Sequence, residues 1–171
     1  IPLHVGEAAE VNYSGQPAMD FGPLARDRIP VRSMVEGDLR ALVDIDRRIT
    51  GYDRTNYFKR KLIDALTNSD VRVSQVAELD GVPVGFIMAR VDLGEFGQVG
   101  TAAVIDTIGV DPDYRGKGVG RALVSQLLVN LGTLRVETVR TEVDWHDREL
   151  FAYLNRSGFL PSQRLCFGRL L

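Results

Sequence analysis

Between Val110 and Leu123 the chain reads Val-Asp-Pro-Asp-Tyr-Arg-Gly-Lys-Gly-Val-Gly-Arg-Ala-Leu, and this run restricts the fold more than any other stretch. The apolar segment Ala102–Val110 precedes it and the helical pattern Arg121–Leu131 follows it. A strand end, a tight glycine turn and a helix start are therefore neighbours. Gly116, Gly118 and Gly120 carry no Cβ, so a ligand can approach the main chain closely. The helix start offers unpaired N–H groups and the positive end of its dipole, and Arg115, Lys117 and Arg121 add charge. The pattern predicts a phosphate or pyrophosphate guest. It is not a P-loop, because Lys117 is followed by Gly118 rather than Ser or Thr. It is not the dinucleotide fingerprint either, because Gly116-x-Gly118-x-Gly120 has the wrong last spacing.

The rest of the composition fits one domain with a real core: 171 residues, 44% hydrophobic and 26% charged. A net charge of −2 and no long basic run argue against a nucleic-acid surface. No apolar stretch is long enough for a membrane span, and the first residues lack the layout of a secretion signal, although a segment missing before Ile1 stays open. The single cysteine, Cys166, excludes an internal disulfide and suits a reducing cytoplasm; it is expected as a buried thiol in a strand-like segment, not a nucleophile.

Residues 1–28 mix Pro and Gly without a period, which suggests an extended arm or tail ahead of a single domain over 29–171. Ile29–Arg32 is expected as a short strand, and Glu36–Arg48 and Asn56–Asn68 as helices. Val71–Leu79 and Val82–Val91 are β-branched strands joined by Asp80-Gly81, a type I′ hairpin signal. Leu93–Gly100 is a glycine-rich loop, and Thr101–Val110 is a strand apolar on both faces. A helix over Gly118–Leu131, a strand over Arg135–Val143 and a helix over Asp147–Ser157 follow, with Gly158 as a positive-φ cap. Phe159–Leu171 is expected to close the sheet. The fold class is α/β, in the α+β sense of a central mixed sheet flanked by helices.

Within this frame, Arg115-x-x-Gly118-x-Gly120 resembles the acyl-CoA pyrophosphate loop of the GCN5-related N-acetyltransferases, and Tyr153-Leu-Asn-Arg-Ser-Gly-Phe159 resembles that family's closing Tyr-x-x-x-Gly-Phe element. The resemblance covers about residues 29–171. It implies an acetyl-CoA-dependent N-acetyltransferase in which an amine attacks the thioester directly. It also implies that Ile108 and Val110 bond the pantetheine arm through their main chains, with Gly109 between them. The N–H groups of Gly116, Lys117, Gly118, Val119 and Gly120 would face the pyrophosphate. Thr141-Glu-Val-Asp-Trp-His-Asp147 resembles the family's Leu-Glu-Val-Arg-x-x-Asn element, so Glu142 matches a glutamate base, Asp144 replaces an arginine, and Asp147 replaces an asparagine near the cofactor.

Transfer to an amine needs a polarised thioester, a deprotonated amine and a stabilised thiolate. Glu142 is the first base candidate, and an ordinary surface carboxylate is the alternative. Asp106 is the second, as the only charge in Ala102–Val110; by period two it shares a strand face with Ile108 and Val110, and its alternative role is to hold a β-bulge. His146 is a third. The family's thiolate-protonating tyrosine falls at Leu154, and Tyr153, one residue earlier, is either a shifted acid or a core aromatic. Asp44, Asp46, Tyr52, Asp53, Tyr57 and Glu95 are candidates for an acceptor pocket. The expected acceptor is a small-molecule or peptide amine. A homodimer is plausible from the N-terminal arm and the last strand at a sheet edge. The competing function is a non-catalytic acyl-CoA-binding module.

Overall fold

The computed structural model describes residues 29–67, 73–92 and 100–171. The expected arm over 1–28, the loop over 93–99 with Glu95, Asn68 and the start of the strand at Val71 lie outside the described residues. Five strands form one sheet in the order β1 (Val31–Ser33), β2 (Gln75–Leu79), β3 (Val82–Asp92), β4 (Ala102–Val110) and β5 (Thr138–Thr141). The first four pair antiparallel and β5 runs parallel to β4, so the sheet is mixed, as expected. Between β1 and β2 lie α1 (Leu39–Thr50) and α2 (Thr55–Thr67). Between β4 and β5 lies α3 (Val119–Thr133), and α4 (Arg148–Arg156) follows β5. Among the described residues no helix is long and apolar enough to cross a membrane.

Local chemistry sets these elements. Asp80 and Gly81 both hold positive φ, +52° and +76°, which the tight β2–β3 hairpin requires. The α4 C-terminus closes with Gly158 at φ +87°, its N–H bonded to Asn155 and that of Phe159 to Leu154. The sheet is covered by helices on both faces. On one side Ile87, Ala103 and Ile105 pack with Leu123, Leu127 and Leu131 of α3. On the other, Val76, Phe86 and Met88 pack with Leu42 of α1 and Phe58 and Leu62 of α2.

Two expectations fail at the C-terminus. Phe159–Leu171 forms no strand: beyond the anchored Phe159 the chain makes no ladder, and Leu165, Phe167 and Leu170 are 82%, 90% and 98% exposed. Pro161 has no N–H to give a ladder, and apolar alternation says only that a segment can be covered, not which edge receives it. Cys166 is accordingly exposed, not buried in a strand.

Candidate active site

The glycine loop sits where β4 hands over to α3. Asp111 opens it: its N–H donates to the Val84 carbonyl at 2.9 Å, and its carboxylate accepts from the Asp113 N–H at 2.9 Å. Arg48, near the end of α1, donates to both Asp111 oxygens at 2.6 Å and to Asp113 at 2.7 Å. The loop is thus tied to α1 before it turns. Gly116 and Gly118 hold φ +73° and +87°, a conformation that disfavours side chains. Gly118 is the N-cap of α3, and the first helical bond runs from the Ala122 N–H to its carbonyl at 2.9 Å. The N–H groups ahead of Ala122 therefore have no helical acceptor. Arg115, Lys117 and Arg121 are exposed and form no ion pair among the described residues; Lys117 lies 4.9 Å from the Tyr114 ring centre. Val119 turns its side chain into the core, so only its main chain is available to a ligand.

Two glycines expected to make room for the ligand make room for side chains instead. A Cβ on Gly120 would stand 3.2 Å from the Tyr153 hydroxyl, and one on Gly109 would stand 2.6 Å from the Phe86 ring. The close approach is real at both, but the neighbour is aromatic.

β4 and β5 pair only from Ala102–Thr138 to Ile105–Thr141, and the Thr141 hydroxyl then donates to the Ile105 carbonyl at 3.0 Å. Past that point the strands part. Ile108 and Val110 stay paired with Ile87 and Gly85 on the β3 side, while their other edge has no strand partner. The parting opens a cleft of about 130 Å³ whose walls include Asp106, Ile108, Thr141, Glu142, Leu150 and Leu154. A larger hollow of about 380 Å³ lies between α1 and α2 and holds Asp44, away from the glycine loop.

The catalytic candidates separate in this geometry. Glu142, just past β5, is exposed at the cleft and has no ion pair among the described residues. Asp106 is the extra residue of a β-bulge: Met88 pairs with Thr107 and Ala89 with Ile105, which leaves Asp106 unopposed. The sequence placed Asp106 on the face of Ile108 and Val110; the bulge breaks period two, so it does not share that face and instead takes the β-bulge position named as its alternative. Those two pack toward α3, whereas the Asp106 carboxylate meets Arg90 of β3 and, at 3.3 Å, Lys61 of α2. Neither cation was singled out in the sequence. Arg90 carried a signal, as the only charge in the run Val82–Val91, whereas Lys61 on a polar helix face had none.

Tyr153 does not line the cleft; Leu154 does. The Tyr153 hydroxyl is buried against Gly120 without a hydrogen-bond partner, and burial pushes its pKa above the usual value of 10.0 against the opposing pull of Ser157, Arg121 and Arg156. Asp147 caps α4, accepting from the Leu150 N–H at 3.0 Å. His146 is exposed, with its main-chain N–H on Asp144 at 2.8 Å. Among the acceptor candidates, Asp46 is buried and paired with Arg54 at 2.9 Å, and Asp53 accepts from the Thr55 N–H at 2.9 Å at the start of α2. Both are structural. Asp44 lies 3.9 Å from Arg40, Tyr52 is 73% exposed, and Tyr57 stands edge-on to Phe58.

Residues 39–159, more than half of the chain, match the Acetyltransferase (GNAT) family. The chain belongs to that family. Its structure has GNAT counterparts. An aminoglycoside N-acetyltransferase in complex with CoA superposes with a TM-score of 0.72 at 17% identity, covering 83% of this chain and 94% of that one. A ribosomal-protein-alanine N-acetyltransferase from Brucella melitensis biovar Abortus 2308 gives 0.65 at 19% identity, over 83% and 99%. Among curated proteins, the mycothiol acetyltransferase of Propionibacterium freudenreichii subsp. shermanii is 30% identical over 105 residues, 56% of this chain and 33% of that protein. An uncharacterized N-acetyltransferase of Methanocaldococcus jannaschii is 29% identical over 103 residues, 57% and 46%. The chain thus matches less than half the length of these curated relatives. The GNAT assignment bears out the family and the fold expected from the glycine loop, and acetyl-CoA as cosubstrate agrees with both.

Proposed function

We propose that the protein is an acetyl-CoA-dependent N-acetyltransferase that transfers acetyl directly to a bound amine. One observation supports the reading: the edge of β4 left open past Ile105 runs on into the glycine loop, and the cleft at that parting is walled in part by Glu142, which has no ion pair among the described residues. The N–H groups of residues 116–120, with Arg115, Lys117 and Arg121 around them, hold the pyrophosphate. The free edge of β4 at Ile108, Gly109 and Val110 receives the pantetheine arm, and acetyl-CoA supplies the thioester. Glu142 accepts a proton from the amine, directly or through water, as the N–C bond forms and the C–S bond breaks. Leu154 offers no proton, and the buried Tyr153 hydroxyl faces away from the cleft, so solvent protonates the departing thiolate. Asp106 has its oxygens engaged by Arg90 and Lys61, whereas Glu142 is exposed at the cleft and has no ion pair among the described residues.

The test is calorimetric titration with acetyl-CoA followed by an amine screen for free CoA. The expected result is binding, and turnover that falls by about 10²–10⁴-fold in Glu142→Gln, the usual scale for general-base loss. Binding without turnover of any amine would favour the non-catalytic acyl-CoA module, for which the apolar Leu154 is the supporting observation.

We also infer a homodimer. β5 is an edge strand among the described residues, and residues 160–171 carry Leu165, Phe167 and Leu170, which no surface of the described residues covers. Light scattering is expected to give twice the chain mass, and a variant ending at Phe159 the monomer mass. A monomer for the intact chain rejects the idea.

A further inference from the structure

The helix side of the cleft is wholly aliphatic. Val124 of α3 and Leu150 and Leu154 of α4 supply it, and Ile105 and Ile108 of β4 adjoin them. The polar lining, Thr141 and Glu142 among it, comes from β4, β5 and the residue that follows β5. The aliphatic wall is held in place. Val124 and Leu154 are buried, and Leu150 stands one helical turn before Leu154 on the same face of α4. The Leu154 carbonyl accepts from the Phe159 N–H at 3.0 Å where α4 ends. Tyr153 brings no hydroxyl to this wall, because its own lies against Gly120.

An acyl thioester matches that division. Its carbonyl and the attacking amine suit the polar side, and its carbon tail suits the aliphatic one. The cleft measures about 130 Å³, and an aliphatic cavity of about 150 Å³ holds a whole benzene ring. An acetyl group therefore leaves much of the space unfilled. With the amine also admitted, the room suits an acyl chain of roughly three or four carbons.

We propose that Val124, Leu150 and Leu154 form an acyl-chain subsite, so that propionyl- and butyryl-CoA serve as donors alongside acetyl-CoA, and longer chains do not. The inference rests on the acetyltransferase reading above and sets the range of its donor. The transfer is otherwise the same: the acyl carbon gains its bond to the amine nitrogen as it loses the C–S bond, the proton passes to Glu142, and CoA leaves as the thiolate.

The experiment uses the full chain, an amine that it acetylates, and acyl-CoA donors from acetyl to octanoyl. CoA release is followed for each donor, and calorimetry gives its affinity without amine. For propionyl and butyryl donors kcat/KM is expected to equal or exceed that for acetyl, by up to about fourfold for each methylene buried. At hexanoyl it is expected to fall at least about tenfold, as overfilling a packed wall costs. Leu154→Phe and Leu150→Phe are each expected to move the break to shorter chains and Leu154→Ala to longer ones, read as ratios between donors. An acetyl donor at least about tenfold better than propionyl overturns the subsite and leaves the acetyltransferase reading standing. So does a series without a break through octanoyl, or a break that stays put in all three variants. If acetyl-CoA binds but no amine is acetylated, the transferase reading falls and the affinity series alone decides the subsite, which stands only if affinity climbs to butyryl and then drops. A chain that binds no acyl-CoA overturns both.

Discussion

The glycine loop follows β4 and the Asp106 cluster lies within it, and the two are built by different means. The loop works through its main chain: positive φ at Gly116 and Gly118, a helix end with unpaired N–H groups, and charges that stay in solvent. The cluster works through side chains drawn from three elements, Lys61 of α2, Arg90 of β3 and Asp106 of β4. A main-chain site is local in sequence and must be written in glycines at fixed spacing. A side-chain site is assembled by folding, and its partners here are separated by 16 and 45 positions.

The sharpest way to break this contrast is at Gly118. Gly118→Glu puts a side chain and a negative charge on a positive-φ residue at the anion site. Acetyl-CoA binding is expected to weaken by about a hundredfold or more, with the circular dichroism spectrum retained; near-native affinity would mean that the loop does not hold the pyrophosphate.

A second test uses a cluster in which one cation, Arg32, holds two carboxylates, Asp38 and Glu78. Asp38 is buried at 4% exposure and is bonded by Arg32 at 2.7 Å and by the Val35 N–H at 2.8 Å. Burial alone would raise the Asp38 pKa, and these bonds more than offset it, holding the carboxyl below 3.8. Arg32→Met is expected to cost about 2 kcal/mol in chemical denaturation at neutral pH, below the range for a fully buried pair because Arg32 is partly exposed. The contribution of a depressed carboxyl is present above its unfolded pKa and lost as pH falls through the folded value. The penalty should therefore shrink below pH 3.8. Acceptor preference should not change. A penalty of the same size in acid would mean that Arg32 acts through the packing of its stem rather than through its charge.

The smallest effects concern Tyr153. Gly120→Ala presses a methyl to 3.2 Å from its hydroxyl and is expected to cost about 1 kcal/mol, read as a lower Tm. Tyr153→Phe removes a buried hydroxyl without a partner, so stability should stay within about 0.5 kcal/mol and the pH–rate profile should not move. A slower Tyr153→Phe enzyme with an altered alkaline limb would restore the tyrosine as the acid.

The legibility of the chain follows the same division. The Asp80-Gly81 hairpin, the Gly158 cap and the α3 start were readable because each depends on a few adjacent residues. The reasons behind Gly109 and Gly120 were not, since Phe86 and Tyr153 reach them from distant elements. The face of Asp106 was misread because alternation assumes an unbroken ladder, whereas its alternative role at a β-bulge, suggested by a lone charge in an apolar run, is what the register shows. The final segment was misread for a related reason: Leu165 and Phe167 have strand character, but pairing needs an edge that the sequence does not name. Glu142 was found by motif, while its lack of an ion pair emerged only from the fold.

The Arg48 fork adds a mechanical consequence. By gripping both Asp111 and Asp113, it fastens the last turn of α1 to the start of the glycine loop, and Ile49 beside it approaches Gly109 on β4. A pull on the start of the loop is therefore borne by the helix as well, so the two sides of the sheet answer to a single load.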